Sequence, residues 1–233
     1  MDYISSFDSI VSRIIYEEKS FLVVNKHCGE AVEGTEIDLT RILTEKKGGE
    51  IFPTHRLDVP VSGLTLFART PKALASLNDA FSKRVVKKLY WAVVEKPSVD
   101  FPESGELVHW IKTDKKSNKS TAFTEKVPNS KEAILRYSVI GSGDNYIFIK
   151  INLISGRHHQ IRAQFANIGL HIKGDLKYGA KRSEKLGGIR LHCYELSFPN
   201  PEKRGETVAL SASPPIYDNL WQAFEKMYCK NVL

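Results

Sequence analysis

The sequence is poor in the residues that staple, export or embed a chain. Only three cysteines occur in 233 residues, Cys28, Cys193 and Cys229. They are odd in number, widely spaced and form no C-x-x-C pair. That excludes a disulfide framework and a cysteine zinc site, and predicts free thiols in a reducing compartment, by default the cytoplasm. No apolar run approaches the roughly 20 residues a membrane helix needs. The first eight residues, Met1 to Asp8, carry acid rather than base and no long apolar stretch, which argues against a signal peptide. There is no internal repeat and no long low-complexity linker. A glycine-rich phosphate loop and metal-ligand spacing are also missing.

What remains is an ordinary globular composition, 42% hydrophobic and 26% charged. The length suits one large domain or two small lobes. The net charge is +7, and its distribution is uneven. Lys83-Arg84-Val85-Val86-Lys87-Lys88 is one basic run. Lys112, Lys115, Lys116 and Lys119 crowd a polar loop with Ser117, Asn118 and Ser120. Lys181-Arg182-Ser183-Glu184-Lys185 is a third patch. Basic clusters of this kind attract phosphates through long-range charge and counterion release, although each alone is more often a solvated face.

Periodicity supplies the elements. Residues 20–25, 64–68 and 89–95 read as strands. Tyr146 to Leu153 alternates, with Ile147, Ile149, Ile151 and Leu153 on one face. Thr70-Pro71 opens a helix, with Leu74, Leu77 and Phe81 as its apolar stripe. Ser155-Gly156 turns the chain into a second helix over about 158–168, with Ile161, Phe165 and Ile168 toward the core and Gly169 at its C-terminal end. Arg162 lies about 100° from Ile161 on that helix, able to bury its stem and present its guanidinium to a cleft. His159 falls near the same flank. The irregular alternation of strands and helices indicates α+β rather than a doubly wound sheet.

Two polar clusters stand out. His55-Arg56-Leu57-Asp58 precedes Pro60, Ser62-Gly63 and the apolar run Leu64 to Ala68. An acid and a base on a loop ahead of a buried strand suit a catalytic position, although such a pair is more often a surface ion pair. Ser155-Gly156-Arg157-His158-His159-Gln160-Ile161-Arg162 lies about a hundred residues on. Together they suggest one composite site.

The first cluster resembles the HRLD motif of RluA-type pseudouridine synthases, and the second their G-R-x-H-Q-I-R motif. Phe21-Leu22-Val23-Val24-Asn25-Lys26 is similar to the family's opening strand, and Lys88-Leu89-Tyr90-Trp91-Ala92-Val93-Val94 to its tyrosine strand. Ile168-Gly169 through Ile172-Lys173-Gly174-Asp175 and Tyr178-Gly179 resembles another block, as does Leu191-His192-Cys193-Tyr194-Glu195-Leu196-Ser197-Phe198-Pro199. The resemblance runs in order from about residue 14 to 199.

That resemblance implies a pseudouridine synthase fold over residues 1–233: a long mixed, mostly antiparallel sheet flanked by helices and loops, with a central catalytic cleft. It implies an isomerase acting on uridines of ribosomal or transfer RNA, as a monomer and away from membranes, by a reaction that needs neither cofactor nor metal. Asp58 matches the essential aspartate, Arg162 the cation that pairs with it, and Tyr90 the tyrosine that stacks on the base and moves the carbon 5 proton. Arg56 would fill the space of the extruded base, while His55 holds the loop. Candidate RNA contacts are Arg56, His55, Arg157, His159, Gln160, Lys83, Arg84, Lys87 and Lys88. His27, Val61, His158 and the stretch Ala163 to Asn167 depart from the family pattern, which touches substrate contacts rather than the reaction. Only about a dozen residues precede the first motif, so the front RNA-binding module of many members is expected to be absent. The competing readings are a catalytically idle RNA-binding relative and a metal-dependent hydrolase acting on RNA through His158, His159 and an aspartate.

Overall fold

The computed structural model describes residues 10–97, 101–184 and 187–232. Met1 to Asp8 and Lys185 of the third basic run therefore lie outside the described residues. Eleven strands and four α-helices are described. They are β1 Ile14–Glu17, β2 Phe21–Lys26, α1 Leu39–Lys47, β3 Phe52–Pro53, β4 Ser62–Ala68, α2 Pro71–Ser82, β5 Lys87–Glu95 and β6 Ser104–Asp114. β7 Lys119–Phe123, β8 Lys131–Ser142, β9 Tyr146–Leu153, α3 Gln160–Asn167, β10 Leu191–Pro199, β11 Thr207–Ser211 and α4 Asn219–Val232 follow. The architecture is α+β, as the sequence pattern indicates. The chain divides into two compact units, residues 1–87 with 193–215, and residues 88–192 with 216–233.

In the first unit the hydrogen-bonded strand order is β1-β2-β4-β10, with β3 on β4 and β11 on β10. All seven residues of β4 are buried, as a continuous apolar run covered on both faces requires. It runs antiparallel to β2, in a register from Phe21 opposite Ala68 to Lys26 opposite Gly63. Leu22, Val24 and Phe67 pack with Ile42 and Leu43 of α1. Gly63 sits at φ +125°, and a Cβ there would lie 2.4 Å from the Cys193 backbone nitrogen. Only glycine lets the two backbones approach so closely. Thr70 caps α2 by accepting from the Ala73 N–H, with Pro71 in the first turn, as expected. The buried stripe of α2 differs: Ala73, Leu77 and Ala80 face inward, while Leu74 and Phe81 are half-buried. Small side chains let the helix lie close, so the large ones move to the flanks.

In the second unit the order is β5-β9-β8-β6-β7, antiparallel at each pairing. Ile147, Ile149, Ile151 and Leu153 of β9 are all buried. Phe224 of α4 stacks on Trp91 at 4.6 Å and meets Phe148 edge-on at 5.6 Å. The expected 112–119 loop is a hairpin instead: Lys112 belongs to β6, Lys119 to β7, and only residues 115–118 turn. Asp114 tightens that turn by accepting from the Lys116 N–H and the Ser117 hydroxyl. Among the described residues, Cys28, Cys193 and Cys229 form no disulfide.

Helix α3 begins two residues later than expected, because His159 takes a left-handed conformation, φ 52°. It ends at Asn167, and Gly169 at φ 76° reverses the chain. Ile161 and Phe165 are buried as expected. Ile168 is 37% exposed, since the helix has already unwound there and its side chain leaves the stripe.

Candidate active site

The Asp58 loop belongs wholly to the first unit. It is irregular chain between β3 and β4, with Leu57 buried, Asp58 half-buried and Arg56 exposed. The loop is fastened on both sides. Upstream, His55 Nε2 accepts the Leu66 N–H at 3.1 Å, and its ring lies 5.2 Å from Phe81. The Thr54 N–H and hydroxyl both donate to the Leu66 carbonyl. Downstream, the Val59 carbonyl accepts from the Gly29 N–H at 2.8 Å and from Lys26 Nζ at 3.2 Å. The Val61 N–H closes a turn onto the Asp58 carbonyl at 2.9 Å. His55 thus holds the loop. Arg56 reaches Glu33 only at 4.0 Å with both side chains well exposed, a contact of little strength.

Lys26 is fully buried, an outcome the apolar run before it does not announce. Its ammonium donates to the carbonyls of His27, Glu30 and Val59. Burial pulls its pKa down to about 8, against the opposing pull of Glu30, Cys28 and Asp58. Glu30 meets Arg13 through two hydrogen bonds, at 2.7 and 2.9 Å, and accepts the His27 N–H. Burial tends to raise its carboxyl, yet these bonds hold it below the ordinary value. The His27 departure from the family pattern therefore sits at a backbone corner held by Glu30.

The second unit carries Tyr90, Arg157 and Arg162. Tyr90 is buried in β5, opposite Ile151 of β9. Lys88 lies two residues before it, its Nζ 3.2 Å from where a Cβ on Gly156 would stand. Arg157 donates from Nε to the Glu132 carbonyl at 2.8 Å. Gln160 is buried, accepting from the Ser155 hydroxyl and the Arg157 N–H and donating to the Ile134 carbonyl. His159 is buried as well, its Nδ1 2.9 Å from the Tyr178 hydroxyl. Both side chains, proposed from the sequence as RNA contacts, are thus held in the interior around the 155–160 loop.

Arg162 is also more deeply placed than the helical wheel implies. It is 4% exposed, and its guanidinium meets the carboxylate of Asp175, itself 2% exposed, side-on: Nε to Oδ2 at 2.7 Å and Nη2 to Oδ1 at 2.8 Å. Asp175 stands in the Gly174-Asp175 motif, whose spacing does not by itself announce the partnership with Arg162. An acid immediately after a glycine in a motif that also holds Tyr178-Gly179 was the available signal.

The histidine pair stacks ring on ring, 3.8 Å between centroids. His158 Nδ1 lies 2.9 Å from the Ser120 hydroxyl. Among the described residues no group of three or more His, Cys, Asp or Glu is gathered as metal ligands would be. The basic run after α2 begins with Lys83, paired with Asp79 at 2.7 Å, and Arg84 in a left-handed conformation, both exposed along with Lys87. Of the third basic run, Glu184 turns inward. Burial tends to raise its carboxyl, but hydrogen bonds from Arg190 and Lys173 hold it down to about 2.

Comparison with known proteins identifies the family. The RNA pseudouridylate synthase family profile matches residues 20–167. A Bacillus subtilis protein described as an uncharacterized RNA pseudouridine synthase is 31% identical, over 87% of this chain and 69% of its own length. A ribosomal large subunit pseudouridine synthase C of Rickettsia felis is 34% identical, over 88% of this chain and 68% of its own. A tRNA pseudouridine synthase C of Vibrio vulnificus is 26% identical, over 91% and 95%. In fold, the chain superposes on Human RNA Pseudouridylate Synthase Domain Containing 4 with a TM-score of 0.74 at 20% identity, covering 97% of this chain and 95% of that one. The chain belongs to the RNA pseudouridylate synthase family, of the RluA type, and is an isomerase that converts uridine in RNA to pseudouridine. Among the described residues no helix is long and apolar enough to cross a membrane.

Proposed function

We propose that this protein isomerises particular uridines of ribosomal or transfer RNA, working in the cytoplasm as a monomeric catalytic domain, with Asp58, Tyr90 and Arg162 as its catalytic groups. The observation that carries the assignment of Asp58 is its loop. A half-buried carboxylate sits on a short segment clamped at Leu66 on one side and at Val59 on the other, as a catalytic group on a rigid scaffold requires. The relatives named for transfer RNA and for ribosomal large subunit RNA support the substrate class.

The reaction breaks the bond between the sugar and the uracil nitrogen, turns the base, and joins carbon 5 to the sugar. Nothing is oxidised and no water is consumed. Asp58 assists departure of the base, by attack on the sugar or by removing a sugar proton. Arg162 is its cationic partner, favouring the ionised carboxylate. Tyr90 stacks on the uracil and helps move the carbon 5 proton late in the reaction. A uridine in structured RNA must first leave the stack. Arg56, exposed and weakly held, occupies the space it vacates, its planar guanidinium suited to stacking and hydrogen bonding at once. Lys83, Arg84, Lys87, Lys88 and Arg157 contact phosphates.

The test is positional profiling of pseudouridine in ribosomal and transfer RNA from cells with and without the gene, followed by reaction of the purified protein with the affected RNA. Loss at one or a few uridines, restored by wild type and not by Asp58→Asn, is expected. An unchanged profile in both RNA classes would overturn the substrate assignment. A profile restored by Asp58→Asn would remove Asp58 from the chemistry.

A further inference from the structure

We infer that Asp175 is a positioning residue for the isomerisation, acting through Arg162, and that Tyr178 completes the clamp. This rests on the reading of Arg162 as a catalytic group. Two directions of the guanidinium are determined inside the second unit. Its edge is held by the side-on pair with Asp175. Its face lies against the Tyr178 ring, the central carbon 4.8 Å from the ring centroid.

Tyr178 is itself immobilised. The Ser120 N–H donates to its hydroxyl at 2.9 Å, and the hydroxyl donates to the Ser120 carbonyl at 3.1 Å. His159 Nδ1 lies 2.9 Å from the same oxygen. The left-handed His159 thus has a purpose: it aims the imidazole at Tyr178 from just ahead of the helix that bears Arg162.

Asp175 and Tyr178 come from one tight turn. The Asp175 carbonyl accepts the N–H groups of Tyr178 and Ala180, at 3.0 and 3.1 Å. Gly174 at φ +90° and Gly179 at φ +97° bracket the turn, where a Cβ would strike Glu184 at 2.9 Å and the His171 ring at 2.8 Å. The turn hangs from β5, the strand of Tyr90: the Lys173 N–H donates to the Val93 carbonyl at 2.9 Å, and Ile172 bridges Val94. Lys173 and Arg190 both bind Glu184, and Arg190 continues to Asp218 at the start of α4. The clamp on Arg162 and the strand bearing Tyr90 therefore share one rigid support.

The energetics favour orientation over stability as its purpose. Burying an ion pair usually gains little over well-packed apolar residues, because desolvation offsets the attraction. A planar fork held side-on is, however, fixed in direction as an apolar side chain is not.

The test is steady-state isomerisation by wild type, Asp175→Asn, Asp175→Glu, Arg162→Lys and the double variant Arg162→Lys/Asp175→Asn, each shown folded by urea unfolding at the assay temperature. Asp175→Asn is expected to lower kcat by about 100-fold, the scale of a misplacement near 1 Å, with KM little changed. Asp175→Glu, which keeps the charge but shifts it by a methylene, should recover part of that loss. In the Arg162→Lys background, which lacks the fork, Asp175→Asn should cost little more. Wild-type kcat in folded Asp175→Asn, or equal losses in both backgrounds, would overturn the inference. If Asp175→Asn does not fold, Asp175→Glu decides: a folded variant with wild-type kcat overturns the inference, and one with lowered kcat at unchanged KM supports it. Absence of pseudouridine with wild type itself would instead overturn the functional reading beneath it.

Discussion

The imidazole of His55 accepts a hydrogen bond from the backbone N–H of Leu66, 3.1 Å away in the middle of the fully buried strand β4. They stand eleven positions apart in the chain, and Asp58 lies between. The same residue that begins the catalytic motif thus ties the motif's loop to the strand that follows it.

Replacing that acceptor should be costly. In His55→Ala the buried Leu66 N–H loses its partner, and stability is expected to fall by about 1–3 kcal/mol, with a lower kcat as the Asp58 loop loosens. Urea unfolding and turnover measured on the same preparation check this. Unchanged stability would show that the loop is held elsewhere.

Asp58→Asn keeps shape and removes charge. Its rate of pseudouridine formation is expected to drop by about 10² to 10⁴ or more, the range for loss of a proton-transfer group, while RNA affinity stays near wild type. Affinity lost in proportion to activity would make Asp58 a binding residue.

Tyr90→Phe retains the buried ring of β5 and loses only the hydroxyl. Unfolding should be little changed and kcat reduced, because late proton transfer from carbon 5 is impaired. A fully active phenylalanine variant would confine Tyr90 to stacking.

Lys26 sets a pH dependence. Its folded pKa of about 8 lies below the ordinary 10.5. Between these values the unfolded chain binds the proton and the folded chain does not, so the Lys26 contribution to stability rises with pH across this window. The difference in unfolding free energy between wild type and Lys26→Met, followed by urea unfolding from just below pH 8 to pH 10.5, should grow in favour of wild type. A constant difference would show that Lys26 keeps an ordinary pKa.

Charge removal at the end of α2 should change how binding responds to salt. Lys83→Ala with Lys87→Ala is expected to lower the slope of log affinity against log salt by about one unit per lost phosphate contact. The choice of uridine should be unaffected. An unchanged slope would move the RNA backbone to other cations, such as those of the β6–β7 hairpin.

Much of this was legible locally. The Thr70-Pro71 start of α2, the alternation of β9 and the continuous burial of β4 follow from side chains meeting their sequence neighbours at helix or strand periods. The ordered motifs carried the family and pointed to Asp58, Tyr90 and Arg162. Other features were not legible. Ile168 satisfies the helical period but lies outside the helix, because Gly169 ends it earlier. Nothing in the local sequence announces that His159 and Gln160 are buried, where Tyr178, Ser155 and Ile134 meet their polar atoms.

By itself, the sequence determined the fold class and the chemistry and pointed to the proposed reacting groups, because these rest on residue type, local period and motif order. Only the tertiary structure decided what holds those groups. Lys26 is buried beneath the Asp58 loop because three backbone carbonyls converge on its ammonium. Arg162 is buried because Asp175, thirteen residues on, turns back to meet it. No rule of sequence spacing predicts either, since a buried charge is tolerated only where the folded chain brings its partners together.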